Sequence, residues 1–288
     1  MRILVTGSRG MLGRTLLRRL AGQELIAADL PEWDVTDDTG LLAKVCEAAP
    51  DVVIHCAAMT DADACEADRD RAFKVNEEGF RNVALACKTS GARLIALSTD
   101  LVFGGEPPRV PWAWGEMDIP RPRTVCGASV FAGEQMIQMI LPDAVILRTG
   151  WLYGAGGPSF VHETVRQGAG AGGPIRAADD RRGNPTSCDV VADAIRFLLG
   201  KPDVSGIVHA TCEEQCSPYE FAREIARLVP GFAREIVPCA AAELPGRAPL
   251  PANTALKKSV LNLLGYRTPP WPAALAEFVK AEFGGKTA

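Results

Sequence analysis

Short apolar runs alternate with amphipathic stretches through the first half of the chain. In these stretches apolar residues recur at helical spacing, as at Leu12, Leu16 and Leu20. Strands are predicted at 2–6, 24–28, 51–56, 93–97 and 144–147, and helices at 11–20, 41–49, 65–89 and 128–140. Alternating strands and helices favour a parallel sheet covered by helices. We therefore predict an α/β fold with a Rossmann-type, doubly wound parallel sheet.

The pattern becomes less regular after residue 150. Helices are predicted at 190–199, 219–228 and 273–283, and strands at 206–210 and 236–238. We expect a large nucleotide-binding domain over residues 1–150 and a smaller C-terminal α/β lobe over residues 151–288. The two are expected to be interleaved.

Composition and charge then exclude several classes of function. The 288 residues carry a net charge of −4, so the chain lacks the basic surface that nucleic acids require, and no nucleic-acid partner is expected. No apolar run approaches the roughly 18 residues of a membrane span. The N-terminus enters a strand pattern at once, so no signal peptide is expected. Nine cysteines without a CxxC pair favour buried thiols in a reducing, cytoplasmic compartment and no metal site.

A glycine motif, GSRGMLG, follows the first strand and opens the first helix. Gly7 permits a tight turn, Gly10 lets the backbone approach a pyrophosphate, and Gly13 lets the helix pack closely on the sheet. Phosphates would lie at the helix N-terminus, where unpaired N–H groups favour anions. The motif therefore predicts a dinucleotide site. Its further predicted contacts are Arg9, Met11 and Leu12.

An acidic residue, Asp29, ends the second strand. It is suited to bind the hydroxyl groups of an adenosine ribose, although it could also only cap a turn. Leu30, Pro31 and Glu32 follow it, so no Lys or Arg close behind would bind a 2′-phosphate. We therefore predict NAD(H) as the favoured cofactor, with NADP(H) as the alternative. Further cofactor contacts are predicted at Asp34, Val35, Cys56, Ala57, Ala58 and Thr60.

Polar residues also end the fourth strand, in the sequence STDLVF. Ligands of open α/β sheets bind outside the carboxyl ends of the strands. Thr99 and Asp100 are therefore candidate catalytic and substrate-binding residues. The alternative is that their side chains satisfy local backbone groups. His55 lies inside an apolar strand and is expected to be a packed core residue.

The motifs together resemble a known family. They are the glycine loop, CAAMTDAD, STDxVF, CGASVFAGE (residues 126–134), LRTGWLYG and RGNPTS. In this order, and over nearly the whole chain, they resemble dTDP-4-dehydrorhamnose reductase, an extended short-chain dehydrogenase/reductase. The resemblance implies a C-terminal lobe for a sugar nucleotide and reduction of a 4-keto group by a nicotinamide cofactor. It also adds Trp151 to the candidate substrate contacts.

The resemblance breaks at the catalytic signature YxxxK. Cys126 stands where the family has tyrosine, and Val130 where it has lysine. In the family the tyrosine gives a proton to the developing alkoxide, and the lysine lowers the pKa of the tyrosine. A thiol, with a reference pKa of about 8.5, can donate a proton, but its side chain is much shorter. Cys126 is thus a candidate acid, and we expect ordinary ketone reduction to be slow.

Other departures leave two functions open. Leu101 and Leu250 replace a frequent tyrosine and a frequent arginine of the family, while Tyr153 and His162 are substitute proton donors unless they only pack. The first function is an atypical NAD(P)-dependent oxidoreductase, with altered or lost catalysis, acting on a small molecule such as a nucleotide-linked sugar. The second is a non-catalytic regulatory or scaffold subunit, which resembles the regulatory subunit of methionine adenosyltransferase. A homodimer or a partner enzyme is the expected assembly.

Overall fold

Six parallel strands form the central sheet of the protein. The computed structural model describes residues 1–104 and 113–284. Its strands are β1 (Arg2–Thr6), β2 (Glu24–Ala28), β3 (Val52–His55), β4 (Arg93–Thr99), β5 (Val145–Thr149), β6 (Leu152–Tyr153), β7 (Ile175–Ala178), β8 (Thr186–Ser187), β9 (Gly206–His209) and β10 (Ile236–Cys239). The central sheet has the order β2-β1-β3-β4-β5-β9. The prediction of a Rossmann-type parallel sheet is confirmed.

Helices cover both faces of this sheet, and others pack together in the smaller lobe. The helices of the described chain are α1 (Met11–Arg19), α2 (Asp38–Ala48), α3 (Ala62–Ala67), α4 (Arg69–Phe73), α5 (Gly79–Ser90), α6 (Val125–Ile140), α7 (Phe160–Gly168), α8 (Cys188–Leu199), α9 (Pro218–Leu228), α10 (Ser259–Leu263) and α11 (Trp271–Phe283). Leu16 of α1 and Ile195 of α8 belong to one apolar layer. Phe80 of α5 and Ile137 of α6 belong to the other. None of the helices within residues 1–104 and 113–284 is long and apolar enough to cross a membrane.

The predicted single helix over 65–89 is wrong. The chain forms α3 and α4, then a π-helical turn (Lys74–Glu78), then α5. Asp68 separates the first two helices, because its side chain caps α4 by accepting the Arg71 N–H at 3.1 Å. Asn76 within the π-helical turn is fully buried and bonds a distant loop. The apolar residues Phe73, Phe80, Val83 and Cys87 still recur at helical spacing, so apolar spacing alone does not reveal these breaks.

The second half of the chain contributes to both parts of the molecule. β9 pairs with β5 at the edge of the central sheet, with Val145 opposite Gly206, and α8 packs beside α1. The smaller lobe contains two two-stranded sheets, β7 with β10 and β6 with β8. The predicted strand at 236–238 is confirmed as part of β10. The strands β6, β7 and β8 were not predicted, since two of them have only two residues.

The switch point of the sheet lies at β1, which pairs with β2 on one side and β3 on the other. Thr6 at its end is opposite both Ala28 of β2 and His55 of β3. In open α/β sheets a crevice forms at the carboxyl ends of strands where the winding reverses. The topology therefore brings the segments 7–13, 29–35 and 56–60 to the same edge.

Candidate active site

The glycine loop closes against the segment that follows β3. Gly7 has φ +64°, and a Cβ atom there would lie 2.7 Å from the Ala57 nitrogen. A Cβ atom at residue 13 would lie 2.2 Å from the Gly7 oxygen. Gly10 is the N-cap residue of α1, and it has no side chain that could accept a hydrogen bond from the first N–H groups of the helix. The first N–H groups of α1 are thus open to an anion, while Met11 is half-buried and Leu12 belongs to the core.

Asp29 lies next to this loop. Its carboxylate accepts the Arg9 backbone N–H at 2.7 Å and the Leu30 N–H at 2.8 Å. The Arg9 guanidinium donates to the Leu30 oxygen at 2.6 Å and lies 3.7 Å from Glu32. A cavity of about 410 Å³ opens here, lined in part by Ser8, Arg14, Trp33, Arg9 and Asp29. Arg9, twenty residues earlier in sequence, thus places a guanidinium beside Asp29, although no Lys or Arg follows Asp29 closely in sequence.

Hydrogen bonds from Thr6 and Asn76 fix the segment that follows β3. The Thr6 hydroxyl accepts the Cys56 N–H at 3.2 Å. The Asn76 side chain accepts the Met59 N–H at 2.8 Å, donates to the Met59 oxygen at 3.0 Å and donates to the Ser129 hydroxyl at 2.9 Å. Asn76 thereby ties this segment to α6. Sequence reasoning missed Asn76, although π-helical turns often mark functional sites.

The other predicted cofactor residues border the same edge. Asp34 is exposed and accepts both the N–H and the hydroxyl of Thr36, at 2.9 and 2.8 Å. Val35 is buried, and its oxygen accepts the Asn82 side chain at 3.0 Å. Ala58 is half-buried and Thr60 is exposed. Their contact with a cofactor stays a prediction.

Thr99 and Asp100 end β4 beside one another. The Thr99 hydroxyl donates to Asp100 at 3.3 Å and accepts the Leu101 N–H at 3.2 Å. Asp100 is buried against β5, since a Cβ atom at Gly150 would lie 2.3 Å from its carboxyl carbon. Burial raises the pKa of Asp100 to about 6, against the opposing hydrogen bonds from Thr254 and Thr99. A carboxyl with such a pKa can act as an acid near neutral pH.

A buried ion pair between β5 and α6 lies next to the end of β4. Arg148 of β5 forms two hydrogen bonds with Glu134 of α6, at 2.8 and 2.6 Å, and their side chains are 3% and 1% exposed. The Ser98 hydroxyl donates to Glu134 and accepts the Thr99 N–H at 2.6 Å. The Arg148 guanidinium also lies 5.1 Å from the Phe103 ring centroid. This hydrogen-bond network of Arg148, Glu134 and Ser98 fixes the backbone at Thr99.

Cys126 and Val130 lie on the inner face of α6. Cys126 is 1% exposed, and its Sγ lies 3.8 Å from the carbonyl oxygens of Met59 and Thr60. Burial is the main cause that raises the pKa of its thiol, and Cys65, which packs beside it, adds to the effect. Val130 is 2% exposed and belongs to the apolar layer of Phe80. The segment after β3 thus covers the position of the family's tyrosine.

A pocket of about 310 Å³ lies next to β4 and β5, between the sheet and the smaller lobe. Trp151 contributes to its wall, with φ +48° and its ring packed on Gly183. Strained backbone of this kind is common at ligand sites. Arg181 is half-buried in the wall and makes no hydrogen bond or ion pair within the described residues. Other residues of the wall include Leu101, Tyr153, Arg176, Leu250 and Thr254.

The substitute donors considered from sequence are packed instead. Tyr153 is 1% exposed among Phe221 and Phe278, and burial raises the pKa of its phenol. His162 lies 2.9 Å from the Ser159 hydroxyl and packs on the last helix. His55 is buried as expected, and burial lowers its pKa to about 3. This packing does not favour either Tyr153 or His162 as a proton donor.

This arrangement defines the class of protein as an extended short-chain dehydrogenase/reductase. Three comparisons support it. A dTDP-4-dehydrorhamnose reductase from Streptomyces griseus is 37% identical, covering 98% of this chain and 94% of that protein. The crystal structure of such a reductase from Clostridium acetobutylicum has a TM-score of 0.93 at 34% identity, covering 98% of this chain and 99% of that chain. One from Bacillus anthracis, in complex with NADP, has a TM-score of 0.91 at 32% identity, covering 98% and 99%.

The model of the family described as RmlD substrate binding domain matches residues 1–283. The chain therefore belongs to this family of nucleotide-sugar reductases related to dTDP-4-dehydrorhamnose reductase.

Proposed function

We propose that the protein binds a nicotinamide dinucleotide and a dTDP-linked deoxysugar, and that it reduces a ketone only slowly. One observation carries the proposal. The dinucleotide edge retains its glycines and Asp29, whereas Cys126 is buried beneath Met59 and Thr60. The residues expected to bind the dinucleotide are therefore retained, whereas the position of the proton donor is occupied by a buried thiol.

The chemistry of the acid half explains why turnover would be slow. Hydride delivery to a ketone needs a proton for the developing alkoxide, and general acid catalysis contributes about 10²–10⁴-fold. A buried thiol of raised pKa, such as that of Cys126, is a poor acid at neutral pH. Val130 has no charge to lower the pKa of a neighbour. We propose that neither residue takes a direct part in proton transfer.

Residual turnover would then depend on the end of β4. Asp100 has a pKa of about 6, and the Thr99 hydroxyl is bonded to it. An acid is active in its protonated form, so turnover that uses Asp100 should increase as the pH falls from 8 through 6 and level off near pH 5. Asp100→Asn should remove this dependence. A rate that does not change between pH 8 and pH 5 would exclude Asp100 as the donor.

The adjoining pocket fits a nucleotide-linked sugar. Arg181 is a half-buried cation without a partner in the described residues, and Arg176 lines the same wall. A guanidinium is well suited to a diphosphate. Two relatives carry dTDP-linked substrates in their names. We propose that dTDP-linked 4-keto sugars bind here, with the diphosphate at Arg181.

Cofactor choice follows from Asp29 and Arg9. We propose that NAD(H) binds more tightly, because Asp29 would repel a 2′-phosphate and hydrogen-bond a free ribose hydroxyl. NADP(H) would be accepted through Arg9, whose guanidinium lies beside Asp29 and can turn from the Leu30 oxygen. Calorimetry with both dinucleotides tests this order, and Arg9→Ala should weaken NADP(H) more than NAD(H). Tighter binding of NADP(H) to the unmodified protein would contradict it.

The decisive experiment separates slow catalysis from none. NADH absorbance is followed with dTDP-4-keto-6-deoxysugars after calorimetry has shown NAD(H) binding. The double variant Cys126→Tyr, Val130→Lys is compared with Cys126→Ser, Val130→Met as the control for packing. A gain of about 10²-fold or more in the first variant alone would support an intact site that lacks its acid. Tight binding without any turnover, in either variant, would instead favour the regulatory or scaffold subunit.

A further inference from the structure

The outer wall of the substrate pocket is a thin, exposed segment. We call residues 240–251 the strap. It follows β10, and Leu244, Leu250 and Pro251 line the pocket on its inner side. Most of its other residues are exposed to solvent. The strap therefore separates the pocket from solvent with one layer of chain.

The first part of the strap is bound to the smaller lobe. The Ala241 N–H donates to Asp180 at 2.9 Å, and Glu243 pairs with Arg176, which itself lines the pocket. Beyond the strap, Arg182 donates its N–H to the Ala252 oxygen at 2.8 Å. Both ends are thus fixed on the smaller lobe.

The middle of the strap is held by the other domain. One oxygen of Asp63, on α3, accepts the N–H groups of Arg247 and Ala248 at 2.7 and 2.8 Å. In the described chain, residues 245–251 form hydrogen bonds with the rest of the protein only through Asp63. Gly246 has φ +153°, which L side chains rarely adopt, just before the two N–H groups that point at Asp63.

We propose that Asp63 is the positioning residue that holds the strap over the substrate pocket, so that α3 controls access to the pocket. α3 directly follows the cofactor segment 56–60, and its Cys65 packs against Cys126 of α6. The strap is therefore anchored to the element that adjoins the dinucleotide edge. The two backbone N–H donors, Ala248 first and then Arg247, also hold the pKa of Asp63 below its usual range. The carboxylate thus stays charged, and bonded, across neutral pH.

The test uses the peptide bond that Asp63 protects. Trypsin can cleave after Arg247, and cleavage requires the strap to leave its acceptor. Asp63→Ala should increase the rate of cleavage between Arg247 and Ala248 about fivefold or more, as mass spectrometry would measure it, because two hydrogen bonds to a carboxylate are lost. Asp63→Asn, which keeps one oxygen acceptor, should give a smaller increase. Asp70→Ala is the matched control, since Asp70 is also an exposed acid in the first turn of a short helix.

A second arm links the strap to the pocket, and it rests on the proposed function. Added dTDP should slow cleavage of the unmodified protein, and Asp63→Ala should weaken dTDP binding about fivefold while NAD(H) binding is unchanged. Equal cleavage rates at Arg247 in the unmodified protein and in Asp63→Ala would overturn the proposal. If dTDP does not bind even to the unmodified protein, the proposed function fails, and the cleavage rates still decide whether Asp63 holds the strap.

Discussion

Removing the cation of the buried ion pair is a direct test of the structure behind Thr99. The change Arg148→Met keeps a long apolar side chain and leaves Glu134 buried without its partner. Both of the original side chains are almost fully enclosed, and they share two hydrogen bonds of 2.8 and 2.6 Å. Breaking such a pair from one side strands a buried charge, which costs about 3–5 kcal/mol of folding free energy. Because the Ser98 hydroxyl still donates to Glu134, we expect the lower end, about 3 kcal/mol.

The measurement is the urea midpoint and slope of equilibrium unfolding at pH 7. The double variant Glu134→Gln, Arg148→Met removes both charges and should recover most of the loss, since no buried charge remains. Arg166→Met is the surface control. Arg166 pairs with Glu163 at 2.6 Å, but their side chains are 72% and 48% exposed, so its loss should cost less than about 1 kcal/mol. A cost below about 1 kcal/mol for Arg148→Met, or a double variant as unstable as the single, would refute the reasoning.

Two further predictions concern titration and thiol exposure. Burial lowers the pKa of His55 and of His209 to about 3, so the unfolded chain binds more protons as the pH falls below about 6.5. Each histidine should lower the free energy of unfolding by about 2 kcal/mol between pH 7 and pH 5. Asp100 partly offsets this loss, because its raised pKa makes the folded chain bind a proton more readily than the unfolded chain. A urea midpoint that does not change from pH 7 to pH 5 would contradict the prediction. Iodoacetamide should modify the exposed Cys46 and leave Cys126 intact in the native protein; equal rates would mean that Cys126 is open to the cleft.

The dinucleotide edge could be predicted from sequence because its causes are local. A strand, a tight turn and a helix follow one another at residues 2–19, and the glycines are needed where the backbone approaches itself most closely. The order of parallel strands then follows from alternating strands and helices. Asp29 was identified in the same way, as an acid at a strand end.

The contacts that complete the site are long-range, and the sequence carries no local signal for them. Asn76 bonds Met59, 17 residues away, and Asp63 bonds Arg247, 184 residues away. Arg9 lies beside Asp29 because the glycine loop folds back on the end of β2. The depth of Cys126 likewise depends on the segment 56–60 lying over α6. Alignment of motifs gave its position along the chain but not its exposure.

The side chains at the two substituted positions, Cys126 and Val130, are packed inside the protein. Cys126 and Val130 are one helical turn apart on α6, so they share a face, and that face is filled by Met59 and by the layer of Phe80. Asn76 holds the Met59 backbone over this face with two hydrogen bonds. Gly7 and Asp29 lie outside this face, on the loop at the end of β1 and at the end of β2. The proposed function therefore treats dinucleotide binding and fast ketone reduction as separable, because they would depend on different residues.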